Sequence, residues 1–573
     1  MQKIIRWISC LLTVATHAQT PVFEWVNQIS GSLTAQEETR LDGTIIATDT
    51  AGNVYNAGTF NGTIDFDPGP GTFSMSSHLN FNVFISKTDS LGNFLWARQI
   101  GGVNNEFIKD ISVDAAGNVY TTGIFFETVD FDPGPGTYFL TSDLTQSGIF
   151  ISKLDANGDF LWARQIAPPA DGEAGSMTTD ASGNLYLSGL FLGTIDLDPG
   201  TGTYPLTSGG QADLFICKLD PSGNFVWGKQ ITGPSTKHVS AIAASASGGL
   251  FLTGYFNGLA DFNPGTGTFE LSSADNDVFI TRLDAAGNFV WAKKAGGLSD
   301  DKSYLLTLDA DENVYIAGSF SISADLDPGI AIYELTSTGP DDTFFAKLDA
   351  AGDFIWASNI DLTLQSIFQT ALAMAATPAG NLHIAGGFIG NIDFDPGPGN
   401  TTLSAATLNG FILSIDTDGN FMGVSQLENE EIEAGVDIAT DSSDNVYITG
   451  YFSGTADFDL GPGISALTAQ GSYDLFILKF SKGKESSSGI PENGMPTTLL
   501  TYPNPFTNLL QVIIPQENTG RVEILNSAGI LVYAAAATGT VQTIDLQSLA
   551  GGLYFIKAIG SNGVTALGRI VKE

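Results

Sequence analysis

The sequence is short of the groups on which much catalytic and metal chemistry depends. Its 573 residues hold two cysteines, four histidines and six methionines. Cys10 lies in the N-terminal segment, so Cys217 is left without an intramolecular disulfide partner once that segment is removed. Bases are scarce too: 23 Lys and Arg stand against 62 Asp and Glu, a formal charge of -39, which excludes nucleic acid and anionic membrane as partners over most of the surface. Beyond the N-terminus no run reaches the roughly 18 unbroken apolar residues of a membrane helix. No G-x-S-x-G, zinc pair or phosphate loop occurs. His78, His238 and His383 fall at non-equivalent places, and His383 takes an aromatic strand position held elsewhere by Tyr120 and Tyr447.

The N-terminus reads MQKIIRWISCLLTVATHAQT. Lys3 and Arg6 precede an apolar run from Trp7 to Ala15, with Thr16 and Ala18 before a cut at Gln19, the pattern of a secretory signal peptide over residues 1–18. Its removal takes two bases and no acids, leaving 62 acids against 21 bases, or -41. A lipoprotein cut at Cys10 is disfavoured by the poor approach Trp7-Ile8-Ser9.

What the chain has in abundance is repetition. DFDPGPG stands at Asp65–Gly71, Asp130–Gly136 and Asp393–Gly399, and the first aspartate of each related site falls at 65, 130, 196, 261, 325, 393 and 457. Trp96, Trp162, Trp227, Trp291 and Trp356 keep the same step, and Met422 is expected in the next slot. There are seven units. Each holds four segments rich in Val, Ile, Tyr and Phe, parted by Gly/Asn/Asp turns; in the second unit they are IKDISVDA, NVYTTGIF, GIFISKLD and DFLWARQI. Such runs read as antiparallel strands in hairpins. The third segment is apolar on both faces, as DLFILKF at Asp474–Phe480 shows, and suits a sheet covered on both sides.

The expected fold is therefore all-β, a seven-bladed β-propeller over residues 22–480. The last unit lacks a fourth strand, while the chain opens with an orphan one, FEWVNQI at Phe23–Ile29. Strand 22–29 is expected to complete the last blade, with Trp25 in the slot that Trp96 holds in its own. The pattern GNVYxxGxFxGxxDFDPG followed by FISKLDxxGNFxWARQIGG resembles the bacterial seven-bladed propeller repeats found in secreted proteins.

The recurring aspartates allow two readings. Asp-x-Asp points two carboxylates the same way along an extended chain, and Gly-rich backbone can turn carbonyls inward, so calcium is one. Its ligands would be Asp65 and Asp67, Asp130 and Asp132, Asp196 and Asp198, Asp325 and Asp327, Asp393 and Asp395, and Asp457 and Asp459. In the other reading the second aspartate caps amides just beyond it, Pro68 fixes φ, and Gly69 and Gly71 supply positive φ, making a blade corner. Asn263 in place of an aspartate and Leu460 in place of proline favour the corner, as does the repetition itself. The hairpin KLDANGDF, with Asp155, Asn157 and Asp159, resembles the start of a calcium loop but also meets the needs of a tight hairpin. The tryptophans could stack on sugars; a large ring at a repeated place more often fills the gap between blades.

After Phe480 the periodicity ends. SKGKESSSGIPENGMPTT, residues 481–498, has linker composition, and residues 499–573 return to alternating strands that suggest a small β-sandwich. This tail resembles the C-terminal sorting domains of the bacterial type 9 secretion system. The resemblance rests on YPNPF (Tyr502, Pro503, Asn504, Pro505, Phe506), on GLYFIKA with Gly552 and Tyr554, and on the ending GRIVKE with Lys572. It implies recognition by the outer-membrane translocon and a location that is secreted or attached to the cell surface. The function expected is binding or display, toward a glycan or protein ligand, with a calcium-dependent adhesin as a variant. The rival class is a polysaccharide lyase or hydrolase in the propeller funnel, though no catalytic constellation is visible.

Overall fold

The structure is a computed structural model, and it describes residues 22–31, 40–142, 147–166, 172–361, 367–427, 431–460, 463–470, 473–481, 497–498, 500–502, 507–513, 521–526, 531–536, 541–560 and 563–572. The signal-peptide segment, most of the linker and Pro503–Phe506 lie outside them. The chain divides into two units, Met1–Gly483 and Lys484–Glu573, and every described regular element is a strand.

Seven four-stranded antiparallel blades make up the first unit. Blade 1 comprises Arg40–Thr48, Val54–Asp65, Ser74–Thr88 and Phe94–Gly102. Blades 2 to 6 begin at Phe107, Glu173, Lys237, Asp301 and Ile367. Blade 7 takes Glu431–Thr440, Val446–Ser453 and Asp474–Ser481, and its fourth strand is Val22–Gly31, paired from Val22↔Ser481 to Ile29↔Leu475. First strands of successive blades approach one another in a cycle that returns from blade 7 to blade 1, so they line a central channel. The third strand is buried along its whole length in blades 2, 3 and 5, because a sheet sits against each of its faces.

Antiparallel order gives the disc two distinct faces. One, the hairpin face, carries the turns between strands one and two and between strands three and four. The other, the corner face, carries the DFDPG segments between strands two and three. Those segments are two-stranded ribbons, such as Thr128–Asp130 with Phe139–Thr141. They also pair with the end of the preceding blade's fourth strand: Gly101↔Asp130, Gly296↔Asp325, and Ser30↔Asp65 across the closure. The extra residues of this repeat thus join neighbouring blades.

Hydrophobic clusters span two blades each; one unites Tyr315 and Phe345 of blade 5 with Phe388, Phe394 and Phe411 of blade 6. The Phe of the motif is part of this packing. Phe66 is fully buried, with ring centroids 5.3 Å from Phe60 and 4.9 Å from Phe84, and the arrangement recurs at Phe131, Phe262, Phe394 and Phe458. Burying each such ring contributes about 1.5–3 kcal/mol.

The second unit stacks a five-stranded sheet and a three-stranded sheet around Leu510, Val512, Val522, Ile524, Ile544, Leu546, Tyr554 and Ile556, a small β-sandwich.

Candidate functional site

Each DFDPG segment folds around its own carboxylates. Asp65 Oδ1 accepts from the Asp67 amide at 3.1 Å and the Phe73 amide at 2.8 Å, and Asp67 Oδ1 accepts from the Gly69 amide at 2.8 Å. Asp130 with Asp132, Asp196 with Asp198, Asp325 with Asp327 and Asp393 with Asp395 repeat all three bonds. Asp457 accepts from the Asp459 and Ser465 amides. Asn263 makes the bond to the Gly265 amide at 2.9 Å with a neutral oxygen, so the corner's geometry needs an acceptor there, and a charge is dispensable. One expectation is corrected. Gly69 and Gly71 are not among the residues with positive φ; they are needed for room, since a Cβ on Gly71 would lie 2.2 Å from Asp67 Oδ2. Among the described residues no three His, Cys, Asp or Glu side chains converge as a metal site.

The hairpin face shows why the other motif recurs. Asp155 Oδ1 accepts from the Asn157 and Asp159 amides at 2.8 and 2.9 Å, closing its own turn. Across most seams, side chains of one blade reach the hairpins of the next. Trp96 Nε1 and Lys87 Nζ both donate to the Ala156 carbonyl at 3.1 Å, and the indole covers Gly158, whose φ of +79° puts a Cβ 3.0 Å from the ring. Tyr120 Oη lies 3.2 Å from Asp114 Oδ2 and 3.0 Å from the Gly183 carbonyl of the next blade, with Lys153 Nζ 4.5 Å from the Tyr120 ring centroid. Trp25 Nε1 donates to the Ser90 carbonyl at 3.2 Å, the same contact made across the closure. The tryptophans therefore act as seam staples.

Two seams depart from this scheme. In blade 4, Phe251, Arg282 and Ser245 replace Tyr, Lys and Asp; Arg282 keeps the bond to the Ala350 carbonyl at 2.8 Å and finds its carboxylate on Glu312 of blade 5, also at 2.8 Å. In blade 6 the tryptophan slot belongs to Gly423, which faces Ser414 where Trp356 faces Lys347; Met422, expected there from spacing, is one residue short. Strands three and four of blade 7 come from opposite ends of the chain, so no hairpin exists there for a tryptophan or lysine of blade 6 to grip. His383 in this blade holds Ser414 Oγ at 2.8 Å, and burial pushes its imidazole down to about 4, so it is neutral and structural. Cys217 is buried, its thiol pushed up by burial. The side chain of His78 lies outside the described residues.

Polar residues that break the repeat gather at the corner-face mouth of the channel, on blades 2 to 5. Lys109 Nζ meets Glu173 at 3.2 Å; both line a pocket of about 160 Å³ with His238. The His238 ring stacks on Tyr255 at 5.0 Å and 8°, and Lys302 Nζ sits 5.5 Å from the far ring of that pair while binding Asp300 at 2.8 Å. Burial lowers the His238 pKa against the pull of Glu173. Lys237, its neighbour in sequence, points the other way, into a fully buried ion pair with Asp213 at 3.1 Å. That seam position carries different groups elsewhere. Between blades 4 and 5 it holds two acids, Asp277 and Asp301, both buried; Lys294 pairs with Asp277, the Gly297 amide donates to Asp301 at 2.5 Å, and burial together with Asp277 pushes Asp301 up to about 7. Burial also raises Glu106 to about 8 at the equivalent position of blade 2. In the channel wall, Asp110 grips the Met177 amide of blade 3 and Asp437 the Ile46 amide of blade 1; burial raises them to about 6 and about 7.

In the tail, Lys572 Nζ donates to three carbonyls, of Leu546, Gln547 and Leu549, at 2.6, 3.0 and 2.6 Å, and Tyr554 Oη donates to the Ala550 carbonyl at 2.8 Å. Both thus pin one turn, and the Gly552 backbone pairs with Lys572. Tyr502 pairs through its backbone with Gln511.

Residues 500–573 match the family described as the secretion system C-terminal sorting domain, and residues 95–123 match the β-propeller repeat family. An uncharacterized WD repeat-containing protein of Acanthamoeba polyphaga mimivirus is 22% identical over 489 residues, 71% of this chain and 35% of that protein. The regulatory protein FlaEY of Caulobacter vibrioides is 24% identical over 141 residues, 24% of this chain and 15% of its own. The chain therefore spans about a third or less of the length of these relatives. Among solved structures, PorZ, a surface component of the type-IX secretion system of Porphyromonas gingivalis, is 10% identical with a TM-score of 0.22, covering 96% of this chain and 100% of its own. A europium-containing methanol dehydrogenase is 11% identical with a TM-score of 0.31, covering 77% and 93%. A chain bearing this sorting domain is handled by the type 9 secretion system and delivered to the outer-membrane surface or the medium.

Proposed function

We propose that this β-propeller, exported through its sorting domain, is an extracellular binding scaffold whose recognition face is the corner face, centred on the channel mouth of blades 2 to 5. One observation carries the reading. Most seams are held by the same buried staples, whereas the mouth gathers Lys109, Glu173, His238, Tyr255 and Lys302 in an order the repeat does not require. Polar and aromatic groups converging at a concave mouth, on strands that are otherwise copies, are the usual mark of a ligand site. The test is adherence of cells that display the full chain to immobilised glycans and matrix proteins, compared with cells lacking it and with cells displaying His238→Ala/Lys302→Ala at equal surface level. Adherence to at least one coat should be lost in the variant; equal adherence by all three cell types refutes the reading.

A second reading is a lyase or hydrolase at the same mouth, favoured by the stacking of a largely neutral imidazole on a phenol, two acid–base groups in contact. Release of reducing ends or of unsaturated products from polysaccharides, abolished by His238→Ala, would establish it.

A further inference from the structure

Away from the channel, the outer seams of the corner face repeat a second feature. Between blades 2 and 3, 7 and 1, and 4 and 5, open grooves of about 790, 740 and 610 Å³ run along the seam, within the size range of small-ligand sites. One wall is the fourth strand of the earlier blade, presenting Arg164, Asn27 or Lys293; the other is the Asp-Pro-Gly corner of the later blade, presenting Asp198, Asp67 or Asp327. Neither Arg164 with Asp198 nor Lys293 with Asp327 closes into a salt bridge; Lys293 Nζ lies 3.5 Å from Asp353 on the next blade's hairpin, and Asn27 Nδ2 donates to the Gly92 carbonyl at 2.7 Å. Each aspartate spends Oδ1 on its own corner, at 2.8 Å from the Gly200, Gly69 or Gly329 amide. The second oxygen of Asp67 and of Asp198 lies against the closing glycine of the same corner, where a Cβ on Gly71 or Gly202 would come within 2.2 Å of it. Arg164 is held in place by the Gly223 and Ser222 carbonyls at 3.1 and 3.2 Å, so its orientation is fixed before any ligand arrives.

We propose that these grooves are repeated subsites for a neutral polysaccharide, each taking a short run of sugar units along the rim. Three properties of the walls select that chemistry. A carboxylate on one wall and, on the other, a guanidinium, ammonium or amide whose remaining N–H groups are not used on the neighbouring hairpin offer acceptors and donors together, which matches the paired hydroxyls of a sugar better than a simple ion. Aromatic rings lie at the edge of two grooves, Tyr138 in one and Phe269 in the other, exposed at 37% and 38%, and a flat apolar ring beside polar groups suits the mixed surface of a pyranose. The corners themselves are Pro and Gly, so a bulky chain can approach the backbone closely. The formal charge of -39 turns polyanions away. Sites repeated around one disc favour a ligand that is itself a repeat, because the second contact of a polymer already held by the first is intramolecular.

The proposal is independent of the channel mouth. Its test uses the full-length chain and four neutral hexasaccharides, built of β-1,4-glucose, β-1,3-glucose, β-1,4-xylose and β-1,4-mannose, titrated by calorimetry with the stoichiometry checked by native mass spectrometry. Thr201→Trp fills the groove between blades 2 and 3, and Ser74→Trp that between blades 7 and 1; both positions are exposed. At least one hexasaccharide should bind at up to three sites, each substitution should remove one, and the melting profile should not move. His238→Ala/Lys302→Ala should leave this stoichiometry unchanged, which separates failure here from failure at the mouth. Absence of binding by all four sugars at millimolar concentration, or unchanged stoichiometry in the double Trp variant, overturns the proposal.

Discussion

Replacing Asp301 by Asn should stabilise the propeller at alkaline pH and leave it nearly unchanged in acid. Asp301 is buried between blades 4 and 5, beside Asp277 and with Asp300 next in sequence; Lys294 neutralises Asp277, leaving Asp301 without a cation of its own. Its carboxyl is raised from 3.8 to about 7, first by burial. A raised acid imposes no penalty below about pH 4, where folded and unfolded chains both hold the proton. As pH climbs toward 7 the unfolded chain ionises while the folded one does not, and the native state loses ground until both are charged. Roughly three units at 1.36 kcal/mol each set a ceiling of about 4 kcal/mol. Asn keeps an acceptor for the Gly297 amide and cannot ionise, so the gain at pH 8.5 should be on the order of 2–4 kcal/mol and that at pH 4.5 about 1 kcal/mol or less. Urea unfolding followed by tryptophan fluorescence reads the right unit, since no tryptophan lies beyond Trp356. Glu106, Asp110 and Asp437 titrate in both proteins and cancel in the difference. Parallel stability curves for parent and variant between pH 4.5 and 8.5 would refute the reasoning.

Deleting residues 19–30 removes the strand that pairs with Asp474–Ser481 and should lower the melting temperature of all seven blades together; a melt like the parent's would show that the strand does not hold the ring. Trp96→Phe keeps most of the ring but loses the bond to the Ala156 carbonyl, so it should cost about 1–3 kcal/mol, against about 3–5 for Trp96→Ala. If the corners are turns alone, a melt of the full chain in calcium and then in excess chelator should give one temperature; a chelator-sensitive drop would make the aspartate pairs metal sites, because a ligand bound only to the folded state must raise stability. Lys572→Met strips three carbonyls of their donor and should loosen the turn at residues 546–549, measured as faster amide exchange there and as retention of the chain inside the cell; unchanged exchange would remove the structural basis for the effect.

The fold was legible because its signals are local and repeated. A turn such as Asp155-Ala156-Asn157-Gly158 states a hairpin by itself, and seven copies turn hairpins into blades. What lay beyond the sequence were contacts between copies. The Lys153–Tyr120–Asp114 cluster has counterparts in five of the seven units, in the second as the fragments KLD, NVY and VDA, yet nothing in a linear reading says that lysine and tryptophan meet the following unit's carbonyl. Counting spacing placed Met422 where register places Gly423, because a one-residue shift reverses the face of a strand. Gly71 is expected from its motif to permit positive φ, but what excludes a side chain there is the proximity of Asp67 Oδ2, which leaves no trace in the sequence. The mouth was legible only in part: His238 and Lys237 are neighbours in the chain, but alternation sends one to the channel and the other into a seam.

The closing strand also has a kinetic meaning. Six seams join units adjacent in sequence, whereas the ring closes only when Phe23 pairs with Phe480 inside blade 7 and that blade meets blade 1. Loop-closure entropy grows only with the logarithm of length, so joining ends that far apart directly costs about 2 kcal/mol more than joining neighbouring units. The economical route is therefore to stack blades in order and seal the ring last. Until that moment Asp474–Ser481 presents an unpaired edge, the kind of surface on which another chain can add a strand. During synthesis the first strand to emerge is the last to find its place, so the interval between completing blade 6 and docking residues 22–31 is the stage at which the chain is most exposed to mispairing.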